Sequence, residues 1–161
     1  MKKITYLIIS LIFLNFINAC AGYKPIYTTN LQFEIADYSI KTNKKLGSKI
    51  YSKLYNLSKS NKKNAETKSI TIIIDTTKNK NATVKNSDGK ILEYKITLNT
   101  DIKITDFITK DKILNQIFIS SLTYKVQDKY SDTVNIENQT VENLLNKTYQ
   151  ELVIRLTQNI L

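Results

Sequence analysis

The sequence predicts an α+β fold: a two-layer sandwich in which a mixed, largely antiparallel sheet of about four strands carries two helices on one face, in the order β-α-β-β-β-α. Three observations predict it. Residues 92–104 alternate apolar and polar almost without error, which marks a strand with one dry face and one wet face. Residues 44–58 and 141–160 place their apolar side chains at the helical period. One-sided strands need cover, and two one-striped helices supply it.

Taken in order, the chain opens with Lys2 and Lys3 and an apolar run from Ile4 to Ile17. Ile17-Asn18-Ala19-Cys20 follows, and Cys20 is the only cysteine. A basic start, a short apolar run and small residues before the cut read as a secretory signal over residues 1–19. A cysteine at the cut makes the site a lipobox. The Cys20 thiol is then the nucleophile that receives a diacylglyceryl group, and N-acylation completes the anchor; no other cofactor is expected. The run of about 14 residues is short of the ~20 that span a bilayer. Two or three acyl chains hold a protein at a membrane far better than one. Ala21, where an Asp would favour the inner membrane of enteric-type bacteria, points to the periplasmic face of the outer membrane. An acylated Cys20 leaves no thiol for a disulfide.

Residues 20–32 read as a lipidated tether, with Pro25 biasing Lys24 to extended backbone. A single domain is expected over 33–161. Its first strand spans Phe33–Ile40. A helix follows over 44–58, where Leu46, Ile50, Leu54 and Leu57 form one stripe that Tyr51 and Tyr55 widen. Residues 58–68 read as a loop. Ile70, Ile72 and Ile74 start the second strand. Residues 78–89 read as a polar connection ending in the Asn86-Ser87-Asp88-Gly89 turn signal. The alternating strand from Leu92 to Ile104 comes next, then a turn over 105–112 and a last strand over about 114–126. The final helix is expected to begin between Asn135 and Thr140. Val141, Leu144, Leu145, Tyr149, Leu152, Val153, Leu156 and Ile160 form its apolar stripe.

The formal net charge is +10. Such a surface favours anionic partners. Yet the basic residues are lysines apart from Arg155, and Asn and Ile are abundant while Gly, Pro, Trp and His are scarce or absent. That composition fits an AT-rich genome. Bidentate phosphate recognition favours arginine, so nucleic acid is not an expected partner of this exported chain.

Enzymatic chemistry finds little support. No histidine is present to act as general base or metal ligand. The one cysteine is taken by the lipid, and three glycines cannot build a phosphate loop. Asp101 with Asp106, and Glu137 with Glu142, read as solvated carboxylates rather than acid–base pairs. Tyr51, Tyr55, Tyr94, Tyr124 and Tyr149 lie on apolar stripes and read as packing residues. No catalytic and no metal-binding residue is expected.

After the lipobox the chain runs Cys20-Ala21-Gly22-Tyr23-Lys24-Pro25-Ile26-Tyr27. This resembles the start of the LptE family of lipopolysaccharide-assembly lipoproteins, many of which carry Cys-Gly-aromatic-x-Pro-Leu-Tyr. Ala21 is an insertion before the Gly, and Ile26 replaces the common Leu. Arg155-Leu156 in the last helix matches an Arg-Leu pair of the family. The resemblance implies a non-enzymatic plug of the outer-membrane barrel LptD, with lipopolysaccharide as a second partner. It also implies basic residues that meet lipid A phosphates. No local motif assigns them; by chemistry alone Lys78, Lys80, Lys85, Lys110 and Lys112 are candidates, since an ammonium is an adequate point-charge partner. The rival expectation is an auxiliary lipoprotein of an ABC-type transporter, or a periplasmic lipid carrier, which would need a cavity sized for acyl chains.

Overall fold

The computed structural model describes residues 31–60 and 67–160. Cys20, the signal segment and the Gly22–Tyr27 motif lie outside the described residues. The elements are β1 (Phe33–Ile40), α1 (Lys44–Ser60), β2 (Lys68–Lys85), β3 (Ile91–Asp106), β4 (Lys112–Lys125) and α2 (Tyr130–Ile160). The predicted α+β order β-α-β-β-β-α is the observed one.

The sheet runs β1-β2-β3-β4. β1 is parallel to β2, while β2–β3 and β3–β4 are antiparallel. The mixed character follows from the connections. A helix joins β1 to β2, as parallel neighbours require, and short turns join the rest. At the β2–β3 turn Asn86 Oδ1 accepts N–H bonds from Asp88 and Lys90, and Gly89 takes φ +81°, a conformation natural to glycine.

The even positions of the three antiparallel strands face the helices. Ile70, Ile72 and Ile74 of β2, Ile96, Leu98, Ile102 and Ile104 of β3, and Leu114 and Phe118 of β4 are buried. They form one core with Leu46, Ile50 and Leu54 of α1 and Leu144, Leu145, Leu152 and Leu156 of α2. Both helices therefore cover the same face. Gly47 of α1 packs against Ile40 of β1 and Ile74 of β2. A Cβ there would overlap the Ile40 Cγ2 methyl, so only glycine fits.

The other face of the sheet has no element across it among the described residues. It carries Thr, Asn, Lys and Asp, with Ile117 and Ile119 of β4 exposed. Asp75 and Asp101 stand directly opposite each other on it. Each keeps one buried carboxylate oxygen without a partner, and Lys103 Nζ lies 3.7 Å from Asp101 Oδ2.

Three boundaries differ from expectation. β2 does not end near Ile74 but continues to Lys85, so the 78–85 connection is strand; register with β3 holds it although no apolar face is buried there. α2 begins at Tyr130, some five residues early, on polar turns that carry little hydrophobic signal. Leu31, expected in the tether, is fully buried in the core. No helix among the described residues is long and apolar enough to cross a membrane.

Candidate functional site

The even-numbered frame of β2 continues past the core. After Ile70, Ile72, Ile74 and Thr76 come Lys78 and Lys80, paired in register with Leu98 and Ile96. Both lysines therefore rise on the helix side of the sheet, at the height of the first turns of α2. Glu137 of α2 meets them. Lys78 Nζ lies 2.8 Å from its Oε1 and Lys80 Nζ 2.6 Å from its Oε2. The Tyr124 hydroxyl of β4 donates to Oε2 at 2.9 Å. Tyr94 and Tyr124 stack at 5.8 Å between centroids, and Lys80 Nζ lies 4.2 Å above the Tyr94 ring. A stacked tyrosine pair thus floors an ammonium–carboxylate cluster.

The electrostatics follow from this geometry. Burial opposes ionisation of Glu137, but hydrogen bonds from Lys78, Lys80 and Tyr124 outweigh it and hold the carboxyl down at about 2. Burial also opposes the charge on Lys80, yet bonding to Glu137 and Tyr124 lifts it above the ordinary lysine range. The Tyr124 phenol is raised, chiefly by burial. All three groups keep their neutral-pH charge states.

Beside this cluster, α1 and α2 leave an open groove of about 320 Å³ above β2, lined by Lys45, Lys49, Lys78, Asn138 and Glu142. Lys49 pairs with Glu142 across it. Groove and cluster together hold four ammonium groups against two carboxylates. The surplus of positive charge on a partly dry, aromatic-floored surface suits an anionic group such as a phosphate.

The five candidate lysines do not converge. Lys78 and Lys80 belong to the cluster. Lys85 ends β2, farther out toward the β2–β3 turn. Lys110 and Lys112 lie at the β3–β4 turn; Lys112 pairs with Thr105, nine residues along β3 from Ile96, the partner of Lys80, which is roughly 30 Å at ordinary strand rise. There Lys110 sits at φ 64° with its Nζ 4.6 Å over the Phe107 ring.

Sequence reasoning missed Lys45, Lys49 and the roles of Glu137, Glu142, Tyr94 and Tyr124. The even frames of β3 and β4 were the signal for Tyr94 and Tyr124, and that of β2, unbroken from Ile70 to Lys80, for their place beside Lys78 and Lys80; nothing local marked the four on the helices. The carboxylate pairings weighed from sequence do not form. Glu137 and Glu142 bind different lysines, and Asp106 accepts N–H bonds from Ile108 and Thr109 in the β3–β4 turn. Those bonds, Thr109's foremost, hold its carboxyl below the ordinary value. Of the tyrosines, Tyr124 is buried, Tyr51, Tyr94 and Tyr149 are half-buried, and Tyr55 is exposed. Among the described residues no group of three His, Cys, Asp or Glu side chains could hold a metal ion.

No family model matches the sequence, and no curated protein matches it. Solved structures do match the fold. The uncharacterized lipoprotein B of Nitrosomonas europaea superposes with a TM-score of 0.58 at 10% identity, covering 83% of this chain and 87% of that one. A minor lipoprotein of Acinetobacter baumannii gives 0.56 at 9% identity, covering 80% and 92%. The chain therefore shares its fold with bacterial lipoproteins.

Proposed function

We propose that this chain is a lipid-anchored outer-membrane lipoprotein of lipopolysaccharide assembly, acting without catalysis as the plug of an LptD-like β-barrel. The observation that carries the reading is the one-sided sheet. Its helix face is closed by a continuous core, while its other face is a broad wet surface of Thr, Asn, Lys and Asp. A domain so built can lie against a polar, water-lined barrel wall without exposing its core. The lipobox at Cys20 and the LptE-like Gly22–Tyr27 segment support the same reading from sequence, and the fold shared with solved lipoproteins agrees with it.

In this reading Lys78 and Lys80, with Lys45 and Lys49 beside them, meet the anionic phosphates of lipid A. The Tyr94–Tyr124 pair offers an apolar shelf next to those charges. Glu137 orients the two ammonium groups and is the group a phosphate would compete with.

Depletion of the protein tests the role. The level of mature barrel should fall, cells should become permeable to large hydrophobic antibiotics, and the barrel should co-purify with tagged protein. Cys20→Ser should leave an uncleaved precursor that takes up no palmitate. Unchanged barrel level and permeability, with no barrel co-purifying, would end the plug reading.

A further inference from the structure

The last strand of the sheet leaves one edge open. Among the described residues β4 has β3 on one side and no strand on the other. Its outward backbone groups follow from one hydrogen bond. Val126 N–H donates to the Leu92 carbonyl at 2.9 Å. The register continues from there without a shift through Tyr94–Tyr124 to Ile104–Leu114. Hydrogen-bonded and non-hydrogen-bonded pairs alternate in an antiparallel ladder. The even residues of β4 therefore bond to β3, and the odd residues Asn115, Ile117, Ile119, Ser121 and Thr123 turn their N–H and C=O groups to the open edge.

Natural sheets blunt such an edge with charges, prolines or bulges. Here the strand carries no charge from Ile113 to Tyr124 and no proline, and its register is unbroken from Leu114 onward. Exposed side chains flank the edge on both faces. Ile117 and Ile119 stand 57% and 66% exposed on the wet face of the sheet. On the helix side, β4 and α2 enclose a groove of about 320 Å³ that Phe118, Glu151, Ile154 and Arg155 line.

We infer that the β4 edge and the groove beside α2 form a strand-addition site for an extended segment of a partner protein, one that alternates apolar residues and carries a carboxylate. Backbone pairing to the five odd residues would supply affinity, and alternate side chains would pack on Ile117 and Ile119 or on Phe118 and Ile154. Charge complementarity sets the carboxylate: against the one acidic group of the groove, Glu151, stand Arg155 within it and Lys112 and Lys125 at the ends of the strand. Arg155 makes no ion pair among the described residues, its guanidinium reaching only Gln158 Oε1 at 3.4 Å. Lys112 and Lys125 frame the strand. The same lysines argue against a second copy of this chain. Antiparallel self-pairing centred on Ile119 brings Lys125 of one copy alongside Lys112 of the other at both ends, and like charges so placed destabilise a ladder. This site lies apart from the lysine cluster and stands whether or not the barrel-plug reading does.

The test is a titration of the full chain with an acetylated decapeptide of alternating valine and threonine carrying one central glutamate, read by amide hydrogen exchange. The Ile117, Ile119 and Ser121 amides should gain protection, while those of Phe118 and Ser120, already in the ladder, should not change. Ile119→Pro removes an outward donor without breaking a bond to β3 and should abolish the effect. Replacing the peptide's glutamate by lysine should weaken binding about tenfold, as loss of a charge-assisted hydrogen bond does, and Arg155→Glu should restore it. The charge swap decides the matter even if the proline variant fails to fold. Unchanged odd-residue amides at millimolar peptide would overturn the proposal. So would protection of those amides that grows with protein concentration in the absence of peptide, which would assign the edge to a second copy.

Discussion

Replacing Glu137 by glutamine keeps the shape of the side chain and removes its charge, leaving Lys78 and Lys80 as neighbouring ammonium groups over the Tyr94–Tyr124 floor. The magnitude follows from the carboxyl. It ionises at about 2 in the fold against an ordinary 4.5, which corresponds to about 3 kcal/mol of stabilisation of the charged form. The Glu137 side chain is only 18% exposed, but both lysines are about one-third exposed, so solvent screening reduces the expected loss to about 2 kcal/mol. The sign is that of a depressed carboxyl. Its contribution is complete above pH 4.5, falls away as pH drops toward 2, and at pH 3 is less than half of its neutral value by linkage. Urea unfolding of wild type and Glu137→Gln at pH 6 and pH 3 measures both. A difference within about 0.5 kcal/mol at pH 6, the usual range of a plain surface substitution, would refute the cluster as a stabilising unit. An equal difference at the two pH values would refute its electrostatic origin.

Three further outcomes are expected. Leu152→Ala, at a fully buried position of α2, should cost about 2–5 kcal/mol in chemical denaturation; a loss near zero would put that stripe on the surface. Gly47→Ala should destabilise by about 1–3 kcal/mol despite alanine's higher helix propensity, because the new methyl meets Ile40; a raised melting temperature would contradict the close packing of α1 on β1. Asp75→Asn should stabilise by about 0.2–1 kcal/mol at neutral pH by relieving the charge opposite Asp101, and thermal melts in which the variant is weaker than wild type would show that the pair is otherwise compensated.

The sequence spoke clearly wherever a segment buries one face. The alternation from Leu92 to Ile104 and the stripes of α1 and α2 were legible because a period of two or 3.6 is the trace of burial; Phe33–Ile40 was read as a strand on an imperfect alternation, and only Phe33 of its eight residues is buried. It was silent where structure is held by backbone pairing or by charge. Residues 77–85 bury no side chain, so nothing in their composition marks a strand; they are held by pairing with β3 and by the charged contacts of Lys78 and Lys80. The early turns of α2, from Tyr130 to Gln139, contribute few core residues and read as polar linker. The lysine cluster was half legible. Lys78 and Lys80 stood out as basic residues, but the acid that orients them lies more than fifty residues away on another element, a distance no local spacing can bridge.

The parallel pairing of β1 has a kinetic corollary. β2, β3 and β4 form a meander whose neighbours meet across tight turns, contacts that close early in folding. β1 finds its place only after the chain has passed through all of α1, and it holds to the sheet through β2 alone. Hydrogen exchange should therefore reveal β1 as the first cooperative unit to open and the last to close, with β3 the slowest to exchange. β1 is also the strand nearest Cys20 along the chain, so in the lipid-anchored reading proposed above the strand next to the anchor is the one expected to open first.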